Sequence, residues 1–341
     1  VIDLRMLRIS FKISLSLMLS LIFLIAPLPH LTVGQAHIQS DHGASVDLLA
    51  TATHAPAPKD AIQFANQLIH KLSGDKPFTN WKGADHEFQP LGPGLHAWLV
   101  TLYQNNTPVG YLIIGAHPSG GYALIEYGAG SEPLFDTAAL KRALAAEHSA
   151  SDRLALQSLE IQQLYAGPLL AEWRIINRAD KSIGMHAAND ALALQYRDAR
   201  NADPLPDNES IWQKMRSVPI KLSALIITSG QPQAAPDPPT ITAESFDPND
   251  NLLWLTNDKL KLTPSSFAKE LRQHKSLIFA ARGEGRNYTL PLPVYGYQSW
   301  TQVDDTRAEC LYILTGSAKS PRFIAFDEIA KAGQFYSSTT P

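Results

Sequence analysis

Cysteine is nearly absent from this chain: Cys310 is the one thiol in 341 residues. No internal disulfide can form, so stability has to come from apolar burial. A hydrophobic content of 45% over this length is enough for one or two ordinary cores. An excess of positive charge is also missing, with 29 Lys and Arg against 32 Asp and Glu. Nucleic-acid binders carry a basic face, so nucleic acid is excluded as an expected partner. Beyond residue 26 no apolar run approaches the roughly 20 residues that a spanning helix needs. The glycine-x-serine-x-glycine elbow of many hydrolases does not occur. His86, in Asp85-His86-Glu87, has no second histidine at metal-site spacing. The oxygen-rich Asp247, Asn249, Asp250 and Asn251 lack the glycine and terminal glutamate of a calcium loop. Neither a metal nor an organic cofactor is expected.

What is present begins with a targeting segment. Arg5, Arg8 and Lys12 form a basic start, Ile13 to Ala26 is apolar apart from three serines, and Pro27 and Pro29 break any helix there. Gly34 and Ala36 then occupy the two small-residue positions that a signal peptidase reads. Residues 1–36 are therefore read as a signal peptide cleaved before His37, with membrane contact only during export. Losing Asp3, Arg5, Arg8 and Lys12 removes a charge of +2, which takes the net charge from −3 to about −5. Export without disulfides fits a Gram-positive bacterium and an extracellular or cell-wall location.

The fold class expected is α+β, in two modules, each a mainly antiparallel meander packed with one or two helices. Residues 37–58 are small, polar and proline-containing, and read as a flexible lead-in. Residues 59–230 form the first module. Ala61, Ile62, Ala65, Leu68, Ile69 and Leu72 make one helical stripe. The period then changes to two over residues 96–103, 109–115 and 122–127, three strands joined by short turns. Asp136 can cap a helix reaching about Glu147, and strands follow at 159–165 and 168–176. QPQAAPDPP, within residues 231–245, reads as a proline-rich linker. The second module, 246–338, holds a helix starting at Pro264, strands at 276–282, 288–297, 310–314 and 322–326, and a final short helix capped by Asp327 and ended by Gly333.

Three motifs invite a chemical reading. Gly115-Ala116-His117-Pro118-Ser119-Gly120 has phosphate-loop spacing, but Gly121 and Tyr122 stand where lysine and a hydroxyl residue are required, and a strand follows where a helix is needed. A glycine-rich hairpin turn is the reading. Ser266-Phe267-Ala268-Lys269 matches the serine-x-x-lysine of transpeptidases, yet its partner motifs are missing, so it reads as a helix start. Cys310 lies in an apolar alternating run with no histidine after it, which favours a core residue over a nucleophile. His37, exposed as a new N-terminus, could chelate copper only with a second rigid histidine nearby. VYGYQSW offers a candidate binding surface instead: Tyr295 and Tyr297, two apart and so on one strand face, with Gln298 and Trp300. His117 and Tyr127, at the ends of the 122–127 strand, are further candidates for contact with a partner.

Residues 59–195 resemble the PepSY and propeptide-type domains of secreted bacterial proteins, including streptopain-like prosegments. A helix at 61–72 precedes a meander, and GYLIIG (110–115), YALIEYGAG (122–130) and YAGPLLAEWRIIN (165–177) resemble the strands of such modules. Their Asp-Ala-x-Thr-Gly turn corresponds to His186-Ala187-Ala188-Asn189-Asp190, which shares the alanine. The resemblance implies a protease-inhibiting or partner-binding role and brings no catalytic residues.

A non-catalytic binding or inhibitory module is thus expected, with a secreted protease, another protein or cell-wall glycan as partner. The alternatives are a hydrolase built on Cys310 and an envelope glycan binder built on Tyr295, Tyr297 and Trp300. The leader makes its own prediction: expressed in an exporting host, the chain recovered from the medium should begin at His37. Mass spectrometry of that chain checks it, and an intact leader on the exported chain would refute it.

Overall fold

The computed structural model describes residues 56–338 except residues 94, 119, 148–158, 178–193, 218–224, 228–233, 283–286 and 303–308. The expected signal peptide, His37, most of the lead-in and the His186–Asp190 turn lie outside the described residues. All of the described residues fall within one compact unit, Val46–Pro341.

Helix α1 (Lys59–Leu72) forms where Ala61, Phe64, Ala65, Leu68 and Leu72 repeat at three- and four-residue spacing, and all five are buried. A short 3-10 turn at Thr79–Trp81 leads into an antiparallel meander of β1 (Asp85–Leu91), β2 (Ala97–Gln104), β3 (Thr107–Ala116) and β4 (Tyr122–Ala129). The β3–β4 connection is the glycine-rich stretch of the sequence, with Gly120 and Gly121 at φ of +98° and +75° and a strand after it. Helix α2 (Thr137–Glu147) is capped as expected, the Ala138 amide donating to Asp136 Oδ1 at 2.8 Å. Strands β5 (Leu159–Gly167), β6 (Leu170–Asn177), β7 (Leu194–Asp198) and β8 (Pro204–Leu205) make a separate four-stranded sheet, followed by α3 (Glu209–Ser217). Next come β9 (Leu225–Ile227), β10 (Ala234–Pro236), β11 (Thr240–Ile241), β12 (Lys259–Leu260), α4 (Pro264–His274), β13 (Leu277–Ala281) and β14 (Leu290–Val294). The last elements are β15 (Gly296–Gln302), β16 (Glu309–Gly316), β17 (Pro321–Ala325), the single turn α5 (Phe326–Ile329) and β18 (Gly333–Ser337). Gly333 therefore opens a strand rather than ending a helix. Among the described residues no helix is long and apolar enough to cross a membrane.

The result is a sheet-rich α+β fold. Ten strands form one sheet along the path β1-β2-β3-β4-β17-β16-β15-β10, with β9 beside β4 and β11 beside β15. A third sheet runs β12-β18-β13-β14. Strands from both halves of the chain share the ten-stranded sheet, because β17 pairs with β4. The proline-rich stretch expected to be a linker contributes an edge strand, β10, on β15. An edge strand needs only half of its N–H groups, so Pro236 is tolerated there. Lys71 Nζ, at the end of α1, donates to the Ala234 carbonyl and ties the helix to this edge.

From β3 to β15 the ten-stranded sheet is covered on both faces. Register places Phe88, Val100, Leu112, Tyr127, Phe323 and Leu314 in one row across six strands. On this face Phe78 packs against both Tyr127 and Phe323, and Phe64 of α1 stacks on Tyr122. The adjacent row on the opposite face is Glu87, Thr101, Tyr111, Gly128 and Arg322. The β5–β8 sheet covers this second face through Tyr165 and Trp173. Farther along it, Tyr297, Leu311, Ile313 and Ile324 pack against Phe267, Phe279 and Phe335 of the third sheet and α4. The chain passes from the third sheet to the ten-stranded sheet at Tyr295, the one residue between β14 and β15. At the next position a Cβ would lie 2.5 Å from the Thr240 carbonyl and 2.8 Å from Leu314 Cδ2, so Gly296 has no room for a side chain. Gly296→Ala should destabilise the fold by about 2 kcal/mol, the cost of overpacking a site bounded partly by backbone. A urea denaturation midpoint equal to that of the parent would contradict this packing.

Candidate functional site

The aromatic surface expected at residues 295–300 is interior. Tyr295, Tyr297, Gln298 and Trp300 are 4%, 9%, 1% and 0% exposed, and Tyr127 is 0% exposed. The cause is cover on both faces of the sheet, so that strand alternation directs each side chain into one core or the other. Tyr295 and Tyr297 do not share a face, because the chain turns its corner between them: Tyr295 joins the main core and Tyr297 the core under the third sheet. Tyr297 meets Phe267 edge-on and its hydroxyl accepts from Arg272 Nη1 at 3.2 Å. Three of the candidates do meet, but away from solvent. Trp300 Nε1 donates to the Tyr127 hydroxyl (3.0 Å), which donates to Gln298 Oε1 (2.7 Å), and Gln298 Nε2 donates to the Asp237 carbonyl (2.7 Å). Burial raises the Tyr127 hydroxyl pKa well above its ordinary value, so it stays a donor. His117 is half-buried in the β3–β4 turn, its amide donating to the Gly121 carbonyl at 3.0 Å. Cys310 is half-buried opposite Trp300 and packs against the main core. That is the apolar setting of a structural thiol, whereas nucleophilic thiols sit in electropositive places.

The open site lies at the other end of the sheet. A cleft of about 1280 Å³ separates the β1 end of the ten-stranded sheet from the β5 end of the β5–β8 sheet. Its floor is the second face of β1 and β2, with Glu87, Gln89, Thr101 and Tyr103. Its far wall is β5, and a third side comes from residues 131–142. Both β1 and β5 are terminal strands among the described residues. They converge at one end, where the Tyr165 amide donates to the Gly92 carbonyl at 2.7 Å and Gln89 Nε2 donates to Gln163 Oε1. Among the described residues the lining of the cleft carries Glu87, Glu132, Asp136 and Glu160 against Arg142, whose Nη2 is 3.8 Å from Asp136. Burial first, and then the charge of Glu87, raise the pKa of the Tyr103 hydroxyl and keep it protonated as a donor. Among the described residues no group of three His, Cys, Asp or Glu side chains could hold a metal ion.

One strand behind this floor lies a buried ionic cluster. Thr101 in the cleft pairs with Tyr111, and Tyr111 pairs with Gly128, where a Cβ would sit 2.7 Å from the tyrosine ring. The missing side chain lets the Tyr111 hydroxyl reach and donate to Glu126 Oε1. Arg322 Nε donates to the same oxygen at 2.8 Å, and Arg200 Nη2 lies 3.7 Å from it. Both guanidinium groups also donate to the Pro168 carbonyl in the β5–β6 turn, at 3.3 and 3.0 Å. One carboxylate thus joins β3, β4 and β17 and, through the arginines, fixes the sheet that forms the far wall of the cleft. Glu126 Oε2, the Tyr165 hydroxyl and Arg200 Nε are buried without a hydrogen bond, which costs free energy that the ion pairs have to offset. Burial alone pushes the Glu126 carboxyl pKa up, but Arg322 and then Arg200 outweigh it and hold the group below the usual carboxylate range. The sequence signal for this cluster is a lone glutamate in the apolar run YALIEY. Its partner Arg322 is 196 residues away, which no local pattern reveals.

A carboxyl held below its unfolded value contributes stability above about pH 4, and this is lost as pH falls through the lower folded value. Glu126→Gln should therefore cost about 3 kcal/mol at neutral pH and flatten the acid limb of the stability curve. Combining it with Arg322→Met should cost less than the two single losses added, since neither member of the Glu126–Arg322 pair is then left buried without the other. Urea titrations across pH read both effects, and strict additivity would show that the pair is not coupled.

Comparison with known proteins gives no match to this chain among protein-family models, curated proteins or solved structures.

Proposed function

We propose that this chain is an exported, non-catalytic binding or inhibitory module whose ligand occupies the cleft between β1 and β5. The observation that carries this reading is the size and lining of the cleft. Its roughly 1280 Å³ exceeds the 300–1,000 Å³ or so typical of small-molecule pockets, which suits a segment of a macromolecule. Its lining is mixed, with carboxylates, amides and hydroxyls beside a comparable share of apolar side chains such as Leu91, Leu99, Leu134, Ile161 and Leu164. The resemblance of residues 59–195 to propeptide-type domains points the same way, toward a secreted protease or cell-wall glycan as partner. The division into residues 59–230 and 246–338 enters as a division of labour: every cleft residue falls between 87 and 164, while the later segment supplies the strands that brace the sheet. The hydrolase alternative draws no support from Cys310, packed as it is against the core.

Calorimetric titration of the purified full chain with peptidoglycan fragments and with an unfolded, carboxymethylated polypeptide tests this reading. Saturable binding of at least one is expected. Ala138→Trp, at an exposed position on the cleft rim, should weaken that binding about tenfold without lowering the denaturation midpoint. No saturable binding, or binding indifferent to Ala138→Trp, overturns the proposal.

A further inference from the structure

Resting on the cleft as the binding site, we infer that its occupant is an extended polypeptide segment with basic side chains at alternate positions, added as a strand along the edge of β1. The backbone supplies the first reason. Strand β1 has β2 as its only strand neighbour among the described residues, and Asp85, His86 and Glu87 are exposed. A terminal strand presents a row of N–H and C=O groups ready to pair with another chain. The bond from the Tyr165 amide to the Gly92 carbonyl, with the Gln89–Gln163 side-chain bond beside it, closes this edge toward its far end. From there β1 and β5 run back toward Asp85 and Leu159 with the cleft between them. Pro90 offers no N–H and Gln89 is already tied to Gln163, so the pairing segment is Asp85–Phe88.

Charge supplies the second reason. Side chains of an added strand alternate between the two faces of the sheet. Those on the cleft side would stand beside Glu87 and Gln89 and look across to Glu160, Glu132 and Asp136. Among the described lining residues, four carboxylates against one arginine favour Lys or Arg at these positions. The same negative charge disfavours a second copy of β1, so the device that guards the edge against self-pairing also selects the partner.

Polypeptide is favoured over glycan by what the lining lacks. A sugar ring needs a flat apolar side chain to cover its C–H face. The two aromatic residues of the cleft are Tyr103 and Phe135, and Phe135 is 5% exposed and held edge-on to Trp173 at 5.0 Å. No aromatic platform of two or more rings is therefore open to a ligand in the lining of the cleft.

The test uses the full chain and blocked Lys-Thr and Glu-Thr repeat peptides, followed by fluorescence anisotropy. The Lys-Thr peptide should bind saturably and the Glu-Thr peptide should not. Glu87→Gln combined with Glu160→Gln should weaken binding about tenfold, as should high salt. Backbone N-methylation at every second residue, made in both registers, should abolish binding in at least one register by removing the N–H groups that face β1. Unchanged binding in both registers overturns strand addition while leaving the cleft as the site. Failure of the Lys-Thr peptide, with peptidoglycan fragments binding and Ala138→Trp blocking them, overturns the polypeptide assignment alone. Peptide binding that Ala138→Trp does not affect overturns both this inference and the cleft on which it rests.

Discussion

Strand β17 closes onto β4 late in the chain, and only three register pairs make that closure: Arg322 with Gly128, Phe323 with Tyr127, and Ile324 with Glu126. Bringing segments so distant in sequence together costs loop-closure entropy before any contact rewards it. The seam repays that cost on both of its faces at once. On one face Tyr127 and Phe323 stack with ring centroids 5.1 Å apart and planes within 5°. On the other, Arg322 donates to Glu126, with Tyr111 and Arg200 completing the shell. The ten-stranded sheet, and with it the relation between the first meander and the last strands, depends on this short ladder.

The ionic side of the seam reaches further than the sheet. Arg322 and Arg200 both hold the Pro168 carbonyl, so the β5–β6 turn is positioned by the cations that neutralise Glu126. Strand β5 forms the far wall of the cleft. The spacing of the two walls is therefore set from inside the protein, by groups that no ligand touches. A buried charge network is costly to assemble, and its return here is geometric. It fixes where one sheet sits over another, which a purely apolar contact leaves freer to slide.

Much of the fold could be read from residue patterns, and the failures share a cause. The meander, α1 and α4 were legible because their apolar spacing is strong and their ends carry turn or capping residues: Gly120 and Gly121 in one case, Thr263 before Pro264 in another. Two edge strands, β1 and β10, were not. DHEFQPL in β1 and AAP in β10 are polar or proline-containing because an edge has to resist unwanted pairing. The candidate surface failed for a related reason. Alternation shows that Tyr295 and Tyr297 are two apart, but not that both faces of the strand are covered or that Gly296 follows a corner. The cleft was invisible for both reasons together, since one of its walls is an overlooked edge strand and the placement of the other depends on a contact between residues 126 and 322.

Helix α1 touches β3 near one part of the sheet and β10 at its far edge, where Lys71 grips the Ala234 carbonyl. Five strand steps separate β3 from β10 along the sheet, about 24 Å at ordinary spacing. A helix of 14 residues is about 21 Å long, so α1 is of the length needed to touch both strands. β3 and β10 cannot part while α1 keeps its contacts with both. Unzipping and undocking are thus one event, and two halves far apart in sequence are made to fold and unfold together.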